Sequence, residues 1–124
     1  MPPETRPKSL TVGYLAPARN LDPRTAWDVE SSFVIRHVFE APFGNVYGST
    51  EIEPCLFSGP LQGRDARGTV FEAQVRPGVL FSDGSPLRTE DVVRCLRSSP
   101  SVREEAEVKA EGDRVVFTLK RPNA

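Results

Sequence analysis

The sequence predicts an α+β domain with a small, mainly antiparallel sheet and two principal helices. Two segments, TVFEAQVR and RVVFTLK, alternate apolar and polar residues, which is typical of strands that bury one face. Two other segments, residues 27–39 and the stretch that begins near Thr89, repeat apolar residues at the helical period. The 124 residues, 38% hydrophobic and 27% charged, are enough for one modest core.

The beginning of the chain predicts a flexible arm, a strand, a loop and a helix. Residues 1–8, MPPETRPK, are rich in proline and charge and predict the arm, so order is expected from Ser9. LTVGYL alternates enough to predict a strand, and the prolines of APARNLDPRT predict an irregular loop after it. The helix of residues 27–39 follows, with Asp28 near the positive end of its dipole.

The middle of the chain predicts loops and then a meander. APFGNVYGSTEIEP and CLFSGPLQGRDARG are rich in turn residues, so together they predict loops with at most one short edge strand. TVFEAQVR is the first clear strand, and AEVKAEGD offers another. A tight turn at Glu111-Gly112-Asp113 joins this strand to RVVFTLK, which completes the sheet.

The stretch VRPGVLFSDGSPLRTEDVV, residues 75–93, predicts two turns and the start of the second helix. Glycine follows Pro77 and Asp83, where turns favour positive φ, and Thr89 can cap a helix whose first turn is acidic. The two turns and the helix start account for every residue of this stretch. A backbone role is therefore favoured over a direct catalytic or binding role for Asp83, Ser82 or Ser85.

Charge and motif content argue against several classes of function. The 16 basic and 17 acidic residues leave a net charge of −1, so nothing draws the chain to nucleic acid. Nucleophilic catalysis needs a supported base, and the one histidine, His37, lies in a predicted helix. Glu104, Glu105 and Glu107 sit in a charged connector, and no glycine-rich phosphate loop is present. The sequence therefore predicts no enzyme.

The cysteines and histidine predict no cofactor and no metal site. Cys55 and Cys95 lie far apart and form no C-x-x-C pair, so two separate thiols are favoured over a disulfide. No apolar run approaches the roughly 20 residues of a membrane span, and MPPETRPKSL lacks the apolar core of a secretory signal. The chain is expected to be cytoplasmic or to be written without its leader.

VRPGVLFSDGSPLRTEDVV resembles the signature of solute-binding protein family 5, the extracytoplasmic receptors of bacterial oligopeptide, dipeptide and nickel ABC importers. Other pieces follow in the family's order: Leu21-Asp22-Pro23 after the first strand, Phe39-Glu40 at the helix end, the EPCL of residues 53–56, and the closing VVFTLKRPNA. The resemblance touches most of residues 10–124. It implies that residues 9–124 form part of lobe I of a periplasmic binding protein.

Three departures from the family pattern are visible. Arg88 stands where the family has a capping threonine, so the cap moves to Thr89 or is lost. The connector RSSPSVREEAEVKAEG is short beside the family's usual insertion. Family members are also several times longer and hold their ligand between two lobes. The resemblance therefore implies a partial domain.

By position, the resemblance implies five ligand-facing residues in the first loop and the first helix. They are Ala16, Pro17, Arg19, Trp27 and Ser32. Trp27 is the most suggestive, because a large ring beside exposed backbone can stack on a ligand side chain. The alternative is a ring packed into the small core.

The resemblance implies a non-catalytic part of a peptide or small-solute receptor that works with an ABC permease. Its location would then be periplasmic or extracellular with a lipid anchor. The alternative is a shortened lobe that acts alone as a cytoplasmic protein-interaction or regulatory module. Because an unfinished lobe exposes apolar surface, a protein partner or a homo-oligomer is expected to cover it.

Overall fold

The computed structural model describes residues 8–122, so most of the arm predicted at residues 1–8 lies outside the described residues. The chain divides into two compact units between Val38 and Phe39. We call the described residues up to Val38 the loop-helix unit and those from Phe39 onward the sheet unit. The predicted domain boundary at Ser9 stays a prediction.

The loop-helix unit contains one helix, α1, at Val29–Val38. Asp28 begins it, since its Oδ1 accepts a hydrogen bond of 2.8 Å from the Ser31 backbone N–H. The strand predicted at LTVGYL is wrong, because residues 10–15 form no strand and Leu15 is fully exposed. A segment with an alternating pattern forms a strand only where a neighbouring strand supplies hydrogen bonds. No described strand pairs with residues 10–15.

The sheet unit begins with a two-stranded antiparallel hairpin. Strand β1 is Phe43–Asn45 and strand β2 is Ile52–Pro54, and Gly44 faces Glu53 across the pair. A Cβ atom added to Gly44 would lie 2.9 Å from the Cys55 Sγ, so only glycine fits this position without a shift. The predicted loop therefore holds two short strands instead of one.

A four-stranded antiparallel sheet and two helices make up the rest of the sheet unit. In chain order they are β3 at Gln62–Gly63, β4 at Val70–Gln74, α2 at Thr89–Ser98, α3 at Pro100–Glu105, β5 at Ala106–Glu111 and β6 at Arg114–Leu119. The strand order is β3-β4-β6-β5. Gly112 takes a φ of 63° in the turn between β5 and β6, which confirms the predicted hairpin.

The apolar core of the described residues lies in the sheet unit, between one face of the sheet and α2. Val92 and Val93 of α2 pack toward β5 and β6, as their helical spacing predicts. The buried apolar residues are Leu56, Phe57, Ala73, Val75, Val92, Val93, Val108, Val115 and Val116. Two antiparallel sheets with few helices confirm the predicted α+β class.

The start of α2 corrects the predicted cap. Thr89 is the first helical residue, so the cap position falls on Arg88, which offers no side-chain hydrogen bond there. Asp91 partly compensates, because its carboxylate accepts a hydrogen bond of 3.0 Å from the Arg88 backbone N–H. Thr89 is buried instead.

The turn before α2 depends on Asp83. Its Oδ1 accepts hydrogen bonds from the Ser85 backbone N–H at 2.9 Å and from the Ser85 hydroxyl at 2.6 Å. These bonds, the hydroxyl's first, hold the pKa of Asp83 below its usual value. Gly84 takes a φ of 86° at the tip. Asp83 thus has the backbone role that the sequence favours.

Candidate functional site

All five predicted ligand-facing residues lie in the loop-helix unit. Ala16, Pro17 and Arg19 occupy the loop, Trp27 precedes α1, and Ser32 lies in the first turn of α1. Ala16 and Ser32 are half-buried, whereas the other three are exposed.

Ser31 joins the loop to the helix. Its side chain is fully buried, and its Oγ accepts hydrogen bonds of 3.0 Å from the backbone N–H groups of Arg19 and Asn20. Hydrogen bonds from Ser31, the backbone bond first, and the charge of Arg19 lower the pKa of Asp28. The path of the backbone at Arg19 is therefore set by the first turn of α1.

A polar turn connects Asn20 to Trp27. Asn20 Oδ1 accepts a hydrogen bond of 2.9 Å from the Asp22 N–H, and the Asp22 carbonyl accepts bonds from residues 25 and 26 at 3.1 and 2.9 Å. Asp22 also forms an ion pair of 2.6 Å with Arg24. The side-chain hydrogen bond from Arg24 lowers the pKa of Asp22 to about 2.

Trp27 and Ser32 line a shallow cleft of about 300 Å³ at the start of α1. Its other lining residues are Asp28, Val29, Phe33 and Arg36. Trp27 is 88% exposed, which contradicts the alternative that its ring packs into a core. The cleft combines apolar surface with one acidic and one basic side chain. The structure does not bring Ala16, Pro17 and Arg19 into it.

Sequence reasoning missed four of the cleft residues, Asp28, Val29, Phe33 and Arg36. The last three are spaced four and three residues apart, so they share one face of α1 with Ser32 beside it. That spacing was readable in the sequence, but it does not distinguish a cleft from a core face. Phe33 also contacts the ring of Tyr14 edge-on, with 4.8 Å between centroids.

The structure also locates the histidine and the two cysteines that the sequence analysis considered. His37 Nδ1 lies 2.7 Å from the Phe33 carbonyl oxygen, in the flank position that the sequence predicts. Cys55 and Cys95 are free thiols, so the disulfide alternative is wrong. Between residues 8 and 122, no group of three or more His, Cys, Asp or Glu side chains could hold a metal ion. No helix in that range has the length and apolar character to cross a bilayer.

The fold is that of part of a lobe of the ABC transporter substrate-binding proteins, and this confirms the predicted resemblance. CtaP of Listeria monocytogenes matches 82% of this chain at 24% identity and a TM-score of 0.68. DppA of Helicobacter pylori, solved with the peptide STSA, matches 88% at 22% identity and a TM-score of 0.68. An oligopeptide-binding protein of Borrelia burgdorferi matches 86% at 18% identity and a TM-score of 0.69.

The matched region is a small part of each of these proteins. The chain spans 22% of CtaP and 26% of the other two. No family model and no curated protein matches the sequence. The ligand roles of Ala16, Pro17, Arg19, Trp27 and Ser32 stay predictions.

Proposed function

We propose that this chain is a non-catalytic solute-binding domain, part of an extracytoplasmic receptor that delivers peptides or similar small solutes to an ABC permease. The observation that carries the proposal is the exposed ring of Trp27 beside a cleft in the loop-helix unit. The fold supports it, because DppA, one of the structures that share the fold, was solved with a bound peptide.

The chemistry of the cleft suits a peptide. Trp27 offers an indole face to an apolar or cationic side chain. Asp28 and Arg36 carry the charges that complement an amino group and a carboxylate, and Ser32 adds a hydroxyl. In this proposal, Pro17 and Arg19 make further contacts with the ligand from the loop, outside the cleft.

The affinity of this chain for a free peptide should be low. Small-molecule sites measure about 300 to 1,000 Å³ and bury about 70 to 90% of the ligand. The Trp27 cleft, at about 300 Å³, covers one side of a ligand. We therefore expect a dissociation constant of about 1 mM, equivalent to about 4 kcal/mol of binding free energy.

Intrinsic fluorescence tests the proposal directly, because Trp27 is the only tryptophan of the chain. Free protein should show the red-shifted emission of a water-exposed indole, and iodide should quench it. A mixture of di- to pentapeptides should shift the emission to the blue with saturation, and should protect the ring from iodide.

Variants test whether the fluorescence response to peptide comes from the cleft. Ser32→Ala and Arg36→Ala should weaken the peptide response, whereas Tyr47→Ala, which removes an exposed ring outside the cleft, should leave it unchanged. An emission spectrum that does not move up to about 10 mM peptide, about ten times the expected dissociation constant, rejects the proposal. The protein-interaction alternative would then be the one to test.

A further inference from the structure

Two grooves of about 590 Å³ each adjoin at Arg97 in the sheet unit, because this residue lines both of them. The first, which we call the α2 groove, lies between α2 and the end of β5 and is lined by Glu90, Val93, Arg94, Arg97, Lys109 and Ala110. The second, the α3 groove, lies between α3 and the paired ends of β5 and β6. Together the two grooves form one surface, which we call the basic surface.

The basic surface is positively charged, although the whole chain has a net charge of −1. Five basic and two acidic side chains line it, which leaves a local charge of +3. They are Arg94, Arg97, Arg103, Lys109 and Lys120, with Glu90 and Glu107, and all of them are exposed. Glu107 is already paired with Lys109 at 3.5 Å, so Glu90 is the one acidic group left among four basic ones. The surface therefore attracts anions.

The four remaining cations have no carboxylate partner among the described residues. No Asp or Glu oxygen of residues 8–122 lies within 4.0 Å of the side-chain nitrogens of Arg94, Arg97, Arg103 or Lys120.

Two of these cations are nevertheless held in place. Arg97 Nε donates to the Val108 carbonyl at 2.8 Å, which leaves the terminal amino groups of its guanidinium for a ligand. Lys120 Nζ donates to the Arg103 carbonyl at 2.6 Å, and its ammonium group keeps further N–H donors. Because both side chains are already positioned, binding a carboxylate to them costs less conformational entropy.

Apolar side chains also line both grooves. Val102 and Leu119 are half-buried in the α3 groove, and Ala110 is half-buried in the α2 groove. Each presents part of an apolar side chain to the surface. A ligand that carries both carboxylates and an apolar side chain is thus complementary to this surface in charge and in hydrophobicity.

We propose that the basic surface binds an acidic segment of a protein partner, in which apolar residues separate the carboxylates. Arg94 and Arg97 are three residues apart on α2, so their side chains are neighbours and can receive carboxylates of nearby residues. An apolar side chain of the segment enters the α3 groove. The six residues of β5, which the two grooves follow, span about 20 Å, the length of about six extended residues.

Shape favours a peptide segment over a membrane as the occupant. The cations line two concave grooves of about 590 Å³ each, which side chains of a peptide can enter. A planar layer of lipid headgroups does not enter such grooves, and it offers no apolar side chain to Val102 and Leu119 at that depth.

The association should be weak. Stable interfaces bury about 1,200 to 2,000 Å², and a segment of about six residues buries less, so we expect a dissociation constant of about 0.1 to 1 mM. This inference is independent of the proposed solute site, which lies in the other unit and which the emission of Trp27 reports separately.

An NMR titration of the full chain, labelled with nitrogen-15, tests the inference. The probe is a capped hexapeptide of glutamate and leucine in the order EELEEL, whose caps remove the terminal charges. Shift changes should concentrate on α2, α3 and β5 and should saturate with the expected constant. Raising the salt concentration from about 20 mM to about 500 mM should weaken binding at least about tenfold, because exposed charges are screened.

Two charge reversals, one in each groove, locate the binding site. Arg94→Glu and Arg103→Glu should each weaken binding about five- to tenfold. Arg67→Glu is the matched control, because it reverses the charge of another exposed arginine that lacks a carboxylate partner among residues 8–122 and lies outside both grooves. It should bind like the wild type. Circular dichroism checks the fold of each variant.

Three results of the peptide titrations would overturn the inference. They are the absence of shift changes at about 5 mM peptide, which exceeds the expected constant at least about fivefold, equal binding by all three variants, and equal binding of a peptide with glycine in place of leucine. Vesicles with about 30% phosphatidylglycerol in phosphatidylcholine test the membrane as occupant. Co-sedimentation that Arg94→Glu abolishes, in a chain that does not bind the peptide, would overturn the inference in favour of a membrane surface.

Discussion

Replacing Ser31 with alanine should loosen the loop that carries Arg19 while leaving the start of α1 in place. The substitution removes the buried Oγ that accepts the Arg19 and Asn20 N–H groups at 3.0 Å each. The bond from the residue 31 N–H to Asp28 Oδ1, at 2.8 Å, uses the backbone and survives, although the change also removes the side-chain hydrogen bond from Ser31 that helps to lower the pKa of Asp28. The effect should therefore concentrate on the two loop amides.

The magnitude at the loop follows from the two hydrogen bonds that the Arg19 and Asn20 amides lose. Each typically contributes about 0.5 to 1.5 kcal/mol, so the local free energy of opening should fall by about 1 to 3 kcal/mol. Since 1.4 kcal/mol is a factor of ten, amide exchange at Arg19 and Asn20 should accelerate by about 5- to 150-fold. Alanine's higher helix propensity offsets only a few tenths of a kcal/mol.

Hydrogen-deuterium exchange resolved by NMR measures this change. Ser32→Ala is the matched control, because it makes the same substitution one residue later and Ser32 makes no side-chain hydrogen bond with any residue from 8 to 122. Exchange at Val115, in the sheet unit, should stay constant in both variants. Unchanged exchange at Arg19 and Asn20 in Ser31→Ala, or an equal rise in Ser32→Ala, would refute the anchoring role.

Three further predictions concern single contacts. Gly44→Ala should destabilise the sheet unit by about 1 to 3 kcal/mol in chemical denaturation, because its Cβ meets the Cys55 Sγ; in a Cys55→Ala background most of this cost should vanish. Carboxyl NMR should find Asp22 titrating at about 2, and Arg24→Ala should raise that pKa toward 3.8. Because the folded pKa of Asp22 is lowered, its contribution to stability is full above the unfolded value and is lost as the pH falls through about 2. Glu72→Gln should cost about 1 kcal/mol, since the 13% exposed carboxylate pairs with two arginines, and a cost near zero would mean that these pairs contribute nothing.

Most elements of the sheet unit could be predicted from local sequence patterns. β4 and β6 alternate over most of their length, and the turn between β5 and β6 has its glycine at the position that needs positive φ. These signals are contained within a few residues, so sequence alone was enough. The short strands β1 and β2 gave a weaker signal, because strands of three residues hold little more than one period.

Three features of the loop-helix unit could not be predicted from the sequence. LTVGYL has a strand-like pattern, but a strand needs a partner, and the pattern does not say whether one exists. Trp27 could be placed in a loop, yet its exposure depends on contacts that no local pattern encodes. Ser31 was missed because a serine inside a helical period gives no sign that it is buried and accepts two backbone bonds.

Different interactions stabilise the interior of each unit. Every buried apolar side chain of the described residues lies in the sheet unit, whereas the buried residue of the loop-helix unit is Ser31. Surface side chains on a loop whose path is fixed by main-chain hydrogen bonds can be exchanged without repacking a core. Substitution of an exposed side chain such as that of Trp27 should therefore cost little stability. The part of the chain that carries the candidate site is the part that selection can diversify most easily.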